Sequence, residues 1–254
     1  EESTESTRYV NIVYTIDEGE LWTIGSVSFT GNTIFSNDEI NALISVSEGE
    51  RYNSDRITTI YENIASLYYD NGYVYSVIVP QINKEEGNKV SINFIITEGL
   101  QAKVEKIRIK GLTKTKPYVL ERELAFKVGD VFSRSAFIQS QQNMYNTSLL
   151  KNISASLYPG KTEDGVITEF NVEEGNQMEL QFGATFGATE LNGFPVSGFL
   201  SLTNNNLGGT GRALSLSTEI SPSTQSLSLS ISDNWVGNKR WGNGISISAE
   251  RNVR

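Results

Sequence analysis

The chain has 254 residues, with no Cys, no His and a formal charge of −9. Those absences exclude disulfides, Cys nucleophiles, His-based triads and most zinc sites. The excess of acid lies before Gln177, because five acids and five bases balance after it, and an acidic first part argues against nucleic acid or anionic lipid as its main partner.

Residues 1–7 are polar. Tyr9 to Gly19 then alternates like a closing strand with an acidic-Gly end, so residues 1–19 are expected to finish a preceding unit. Residues 26–30 predict a strand. Ser36 predicts an N-cap, with Glu39 completing a capping box, and Ile40, Leu43 and Ile44 form a short helical face. Ser54 opens a longer helix whose face is Ile57, Ile60, Tyr61, Ile64 and Leu67. Asn71-Gly72 ends it. Two β-rich runs follow, Val74 to Ile82 and Lys89 to Thr97, joined by a turn at 84–88.

The same order returns: strand 104–110, helix 117–125 with Pro117 in its first turn, helix 134–146, strand 151–158 and strand 166–173. The period is roughly 75 to 80 residues. Each β-α-α-β-β unit implies a three-stranded sheet with two helices on one face. The predicted units are 20–100 and 101–176.

From Gln177 the period becomes two. Met178, Leu180, Phe182, Ala184 and Phe186 share one face, and Glu179, Gln181, Gly183 and Thr185 the other. Alternation recurs through Leu200, Leu216, Leu229 and Ile247, with Ser between, so residues 177–254 predict about five strands of about ten residues, long enough to cross a bilayer when tilted. Trp235 and Trp241 flank a turn, as an interfacial aromatic girdle does. A soluble β-sandwich or a Ser-rich adhesin repeat shows the same alternation. About five strands do not close a membrane barrel, so the chain is expected to be a piece of a longer protein or to close its barrel between copies. The fold class expected is thus α+β repeats followed by antiparallel transmembrane β-barrel strands.

The units resemble POTRA domains, and the order of motifs resembles the BamA-like outer-membrane assembly factors. Leu120-Glu121-Arg122-Glu123-Leu124 is similar to a helix of their last POTRA. Gln181-Phe182-Gly183-Ala184-Thr185-Phe186-Gly187 is similar to their first barrel strand, and Asn205 to Gly211 and Ser232-Asp233-Asn234-Trp235 to later turns. The resemblance implies a non-enzymatic protein without cofactors in the bacterial outer membrane, its POTRAs in the periplasm. They receive unfolded outer-membrane β-barrel proteins and accessory lipoproteins by β-augmentation, and the barrel seam templates insertion. It implies a lipoprotein contact at Glu123, for which a solvated helix residue is the other reading. It also implies peptide-binding edges at Tyr73, Val74, Tyr75, Val77 and Val79 and at Asn152, Ile153, Ala155 and Leu157. The seam would use Leu180, Phe182, Gly183, Phe186 and Gly187, with the glycines loosening the strand. Outer-membrane lipid is the remaining expected partner. Other expectations of related kind are a TamA-like or two-partner-secretion translocation pore, and a surface structural protein or adhesin.

Overall fold

A computed structural model describes residues 12–15, 19–186, 196–222, 224–237 and 239–252. It forms two compact units: residues up to Ile64 with Val77–Thr97, and Ala65–Ser76 with Glu98–Arg254.

The first unit contains strand β1 (Thr23–Thr30), helix α1 (Asn37–Asn41), most of helix α2 (Ser54–Asp70), and strands β2 (Val77–Glu85) and β3 (Lys89–Thr97). The expected capping box is present: Glu39 N–H donates to Ser36 Oγ, and Ser36 N–H donates to the Glu39 carboxylate. Helix α2 starts one residue earlier in function than expected, since Asn53 Oδ1 accepts from Asp55 N–H at 2.8 Å. The sheet order is β1-β3-β2, with β3 parallel to β1 and antiparallel to β2. Alternate residues of β3 (Val90, Ile92, Phe94, Ile96) are buried, as are Ile57, Ile60 and Ile64 of α2.

The second unit repeats this plan with β4 (Lys103–Lys110), α3 (Pro117–Glu121), α4 (Arg134–Tyr145), β5 (Leu150–Pro159) and β6 (Gly165–Glu174), in sheet order β4-β6-β5. The likeness extends to single hydrogen bonds. Ile24 N–H donates to Glu50 O and Gly49 N–H to Ile24 O; eighty residues on, Val104 N–H donates to Asp130 O and Gly129 N–H to Val104 O. Gly31 and Gly111, at φ +90° and +94°, each leave a Cβ no room against a β-strand carbonyl, Ile96 O at 2.1 Å and Val172 O at 2.0 Å. Its core gathers Val104, Leu120, Phe132, Met144, Phe170 and Val172.

The same unit continues into five antiparallel strands: β7 (Met178–Phe186), β8 (Val196–Asn204), β9 (Ala213–Ile220), β10 (Thr224–Asp233) and β11 (Asn243–Asn252). Their register sorts the alternation into rows. Leu180, Leu202, Leu216, Leu229 and Ile247 lie side by side on one face. Gln181, Ser201, Ser217, Ser228 and Ser248 lie side by side on the other. One face is thus apolar across every strand, and the other carries mainly hydroxyls. No helix among the described residues is long and apolar enough to cross a membrane, which does not bear on strands.

Three elements differ from expectation. The closing strand expected near residues 9–16 falls mostly outside the described residues, and 12–15 are exposed and carry no strand. Strand β2 begins at Val77, not Val74: Gly72 at φ +89° turns the chain, and Ser76 N–H closes a turn on Tyr73 O at 3.1 Å, so three β-prone residues are spent in a bend. Helix α3 ends at Glu121 rather than 125. Its end tightens into i→i+3 bonds, Glu123 N–H to Leu120 O and Leu124 N–H to Glu121 O.

Candidate functional site at the junction of repeat and sheet

Three residues, Gly175 to Gln177, connect β6 to β7. So short a linker holds the sheet close to the loop between β4 and α3, and that loop is the first half of the site. Glu174 at the end of β6 accepts from three consecutive backbone N–H groups, Thr113 at 3.0 Å, Lys114 at 2.9 Å and Thr115 at 2.7 Å, and from the Thr113 hydroxyl. Burial pushes this carboxyl up, but the threonine and backbone donors outweigh it and hold it down at about 2. The fixed loop presents Thr115, whose buried hydroxyl oxygen receives Gln177 Nε2 at 3.3 Å and Asn206 Nδ2 at 2.8 Å. Asn206 lies in the β8–β9 connection, and its Oδ1 accepts from Gly211 N–H at 2.7 Å. In the same connection Gly209 O accepts from Lys116 N–H at 2.9 Å. Gly209 stands at φ +76° with Lys114 O 2.2 Å from where a Cβ would be, so only glycine fits.

The second half lies at the tight end of α3. Arg122 reaches Asp233 at 3.7 Å and stacks over the Trp235 ring at 5.3 Å. Trp235 N–H caps Asp233 Oδ1 at 3.0 Å, and the indole Nε1–H donates to Glu123 Oε1 at 2.7 Å. Arg240 lies 3.5 Å from Glu123 Oε2, too far for a hydrogen bond, so that oxygen and Arg122 Nε are buried with ionic neighbours but no hydrogen-bond partner. Arg212 completes the cluster by donating to Asp233 Oδ2 at 3.1 Å. A carboxylate only 5% exposed is costly without such partners. Both turns on this side of the sheet, β8–β9 and β10–β11, are therefore bonded to the second repeat, and the arrangement holds a sheet in fixed register with an α/β unit.

The expected site residues are distributed unevenly. Glu123 is neither helical nor solvated; its carboxylate is turned inward onto Trp235. Trp235 is thus tied to the repeat by its indole N–H, while Trp241 is 65% exposed. Tyr73, Val74 and Tyr75 are not on an edge strand: Val74 packs on the second core, and Tyr75 Oη donates to Gly165 O at 3.3 Å. Val77 and Val79 do lie on the edge strand β2, whose register runs through Pro80. Asn152, Ile153, Ala155 and Leu157 lie on the edge strand β5. That edge is blunted at one point, since Ile153 N–H donates to Asn152 Oδ1 and Ile153 O accepts from Gln141 Nε2. Leu180, Phe182, Gly183 and Phe186 lie on β7, which ends the sheet, and Gly187 lies outside the described residues. The Phe199 ring lies over Gly183, its Cε1 2.5 Å from the position a Cβ would take. Sequence reasoning gave no site role to Glu174, Thr115, Gln177 or Asn206, polar residues without a shared motif; Glu174 stands beside the turn glycine Gly175 and Asn206 lies in the Asn205–Gly211 turn, while nothing local marks Thr115 or Gln177.

Tandem β-α-α-β-β units leading through a bonded joint into a two-faced antiparallel sheet define a chain of repeat domains followed by barrel-type strands. A family model described as "Surface antigen variable number repeat", the POTRA repeat, matches residues 22–99 and 102–175, and the chain belongs to this family. A Treponema pallidum protein provisionally named an outer membrane protein assembly factor is 33% identical over 238 residues, 92% of this chain and 28% of its own length. The outer membrane protein assembly factor BamA of Nitratidesulfovibrio vulgaris is 24% identical over 94% of this chain and 31% of its own length. The chain thus spans about three-tenths of these relatives. The crystal structure of Haemophilus ducreyi BamA lacking POTRA domains 1–3 shares the fold, with a TM-score of 0.78 and 24% identity over 90% of this chain and 43% of that one.

Proposed function

We propose that this chain is the POTRA-to-barrel joint of an outer-membrane protein assembly factor. It would act from the periplasm on unfolded β-barrel proteins, a finer reading than its relatives' names, which say only that they are outer membrane protein assembly factors. The observation that carries the reading is the state of β7: fixed at its base through Gln177, Thr115 and Asn206, and paired on one side only among the described residues. A strand so held, opened on its other side, would offer N–H and C=O groups in a set position, which is what pairing with an incoming strand requires. Strand pairing involves no bond chemistry, so the activity proposed is not enzymatic and uses no cofactor.

The open edges of β2 and β5 are the proposed receiving surfaces for extended substrate, and Val77, Val79, Ala155 and Leu157 are the side chains placed to contact it. Accessory lipoproteins are proposed to dock on the second POTRA. One that uses Glu123 must displace the Trp235 indole.

The test is folding of an unfolded barrel substrate in liposomes holding the full-length protein, with proline placed singly at Gln181 and at Phe182. Neighbouring strand residues point their N–H groups in opposite directions. One of the two prolines therefore removes a donor from the open edge and should abolish assisted folding. Wild-type rates with both would refute the role given to β7.

A further inference from the structure

The register of the sheet fixes what borders its apolar face on the POTRA side. Leu214, Ile231 and Ile245 form the last apolar row. Asp233 lies two residues beyond Ile231 on the same face and pairs with Asn243. Arg212 precedes β9 and donates to Asp233, so a guanidinium stands immediately beside the apolar row. A cavity of about 300 Å3 opens there, lined among others by Arg212, Asp233, Trp235, Val236, Ile231 and Ile245. Its wall is polar at one end and continuous with the apolar face at the other.

The surrounding charge is cationic. Arg212 and Arg240 are each 56% exposed although ion-paired, and Lys239 lies over the exposed Trp241 ring at 5.7 Å. Among the described residues, Arg122, Arg212, Lys239 and Arg240 face the carboxylates of Asp233 and Glu123, which leaves this cluster at +2. The far ends of the strands show the reverse: among the described residues they carry Glu219, Glu250 and Arg251. A ring of cations and an indole at the edge of an apolar sheet face has the chemistry of a headgroup layer, where guanidinium binds phosphate in a fork and long cationic side chains extend from apolar stems.

We propose that this rim binds the phosphate of glycerophospholipids in the leaflet on the POTRA side. Arg212, Lys239 and Arg240 face the phosphate, and Ile231, Val236 and Ile245 face the first part of an acyl chain. The inference rests on the reading that the apolar face meets lipid. A free phosphate ion would use the cations but has no need of the apolar wall.

The test uses the full-length protein in nanodiscs of phosphatidylcholine doped with phosphatidylglycerol, released into detergent, with retained lipid counted by native mass spectrometry. Arg212→Gln with Lys239→Gln should lower retained phosphatidylglycerol by about fivefold for each cation removed. Arg251→Gln, at the far end, should change nothing. Unchanged retention in the double variant overturns the proposal, as does displacement of the lipid by added inorganic phosphate. Should the double variant not fold, Lys239→Gln alone, in an exposed turn, gives the same reading with the same two outcomes. Failure of the wild-type protein to enter nanodiscs would instead overturn the membrane reading itself.

Discussion

Phe170 in the second POTRA is fully buried, whereas Phe182 in the sheet is 76% exposed, although both lie on strands whose apolar residues alternate. In the repeats the alternation is covered on one side by helices of the same unit. In the sheet nothing among the described residues covers the apolar face, and Ile245, Ile247 and Phe186 are about as exposed as Phe182, at 69%, 70% and 73%. The opposite face, rich in serine, shows that the pattern itself is maintained with care. The difference teaches that period two specifies a strand and a face, while the neighbour of that face is specified elsewhere: by the amphipathic helices in the repeats, and, on the reading proposed above, by lipid in the sheet.

The largest effect that sharpens this contrast is expected in the repeat core. Phe170→Ala should cost about 3–5 kcal/mol, read by denaturant unfolding, and the cost should be the same in detergent and in lipid. On the sheet, Leu216→Arg should cost about 2–4 kcal/mol when unfolding is measured in lipid vesicles. Ser217→Arg, on the neighbouring position but the hydroxyl face, should cost a small part of that. Equal costs would erase the distinction between the faces.

A smaller effect tests Phe199, an aromatic on the hydroxyl face. Gly183→Ala drives a methyl into the Phe199 ring and should destabilise by about 1–3 kcal/mol, with Phe199→Ala restoring most of it in the double variant. The smallest expected effect concerns the joint. The Glu174 carboxyl is held from 4.5 down to about 2 in the folded chain, so its stabilisation is complete above pH 4.5 and is lost as pH falls toward 2. Glu39, Glu105 and Glu169 are also held below the usual carboxylate range, so thermal unfolding across that interval should show a slope that Glu174→Gln reduces rather than removes.

The repeats were legible in the sequence because each signal is local. Ser36 and Glu39 cap within one turn, the isoleucines of α2 recur at helical spacing, and the turn glycines repeat at one period. The five strands were legible for the same reason. The joint was not, because the hydrogen bonds that tie it to the repeat link residues 59 to 112 positions apart, as in Glu174 to Thr115 and Trp235 to Glu123. Nothing in the composition of Glu173-Glu174 distinguishes a solvated pair from one that clamps three backbone amides. Tyr73 to Tyr75 misled because β-propensity was read without the positive φ that Gly72 imposes before it. The bond of Trp235 to Glu123 was not legible either, because an indole at a strand end fits an aromatic girdle and a hydrogen bond to the repeat equally well in sequence.

The central claim is that the apolar face of β7 to β11 meets lipid while the serine face does not. This chain has no native Cys, so single cysteines can be placed at Leu202, Leu216 and Leu229 and at Ser201, Ser217 and Ser228, then spin-labelled in the reconstituted full-length protein. The account predicts collision with oxygen and shielding from a water-soluble nickel chelate at all three leucine positions, and the reverse preference at the three serine positions. Nickel access at the leucine positions equal to that at the serines would contradict it.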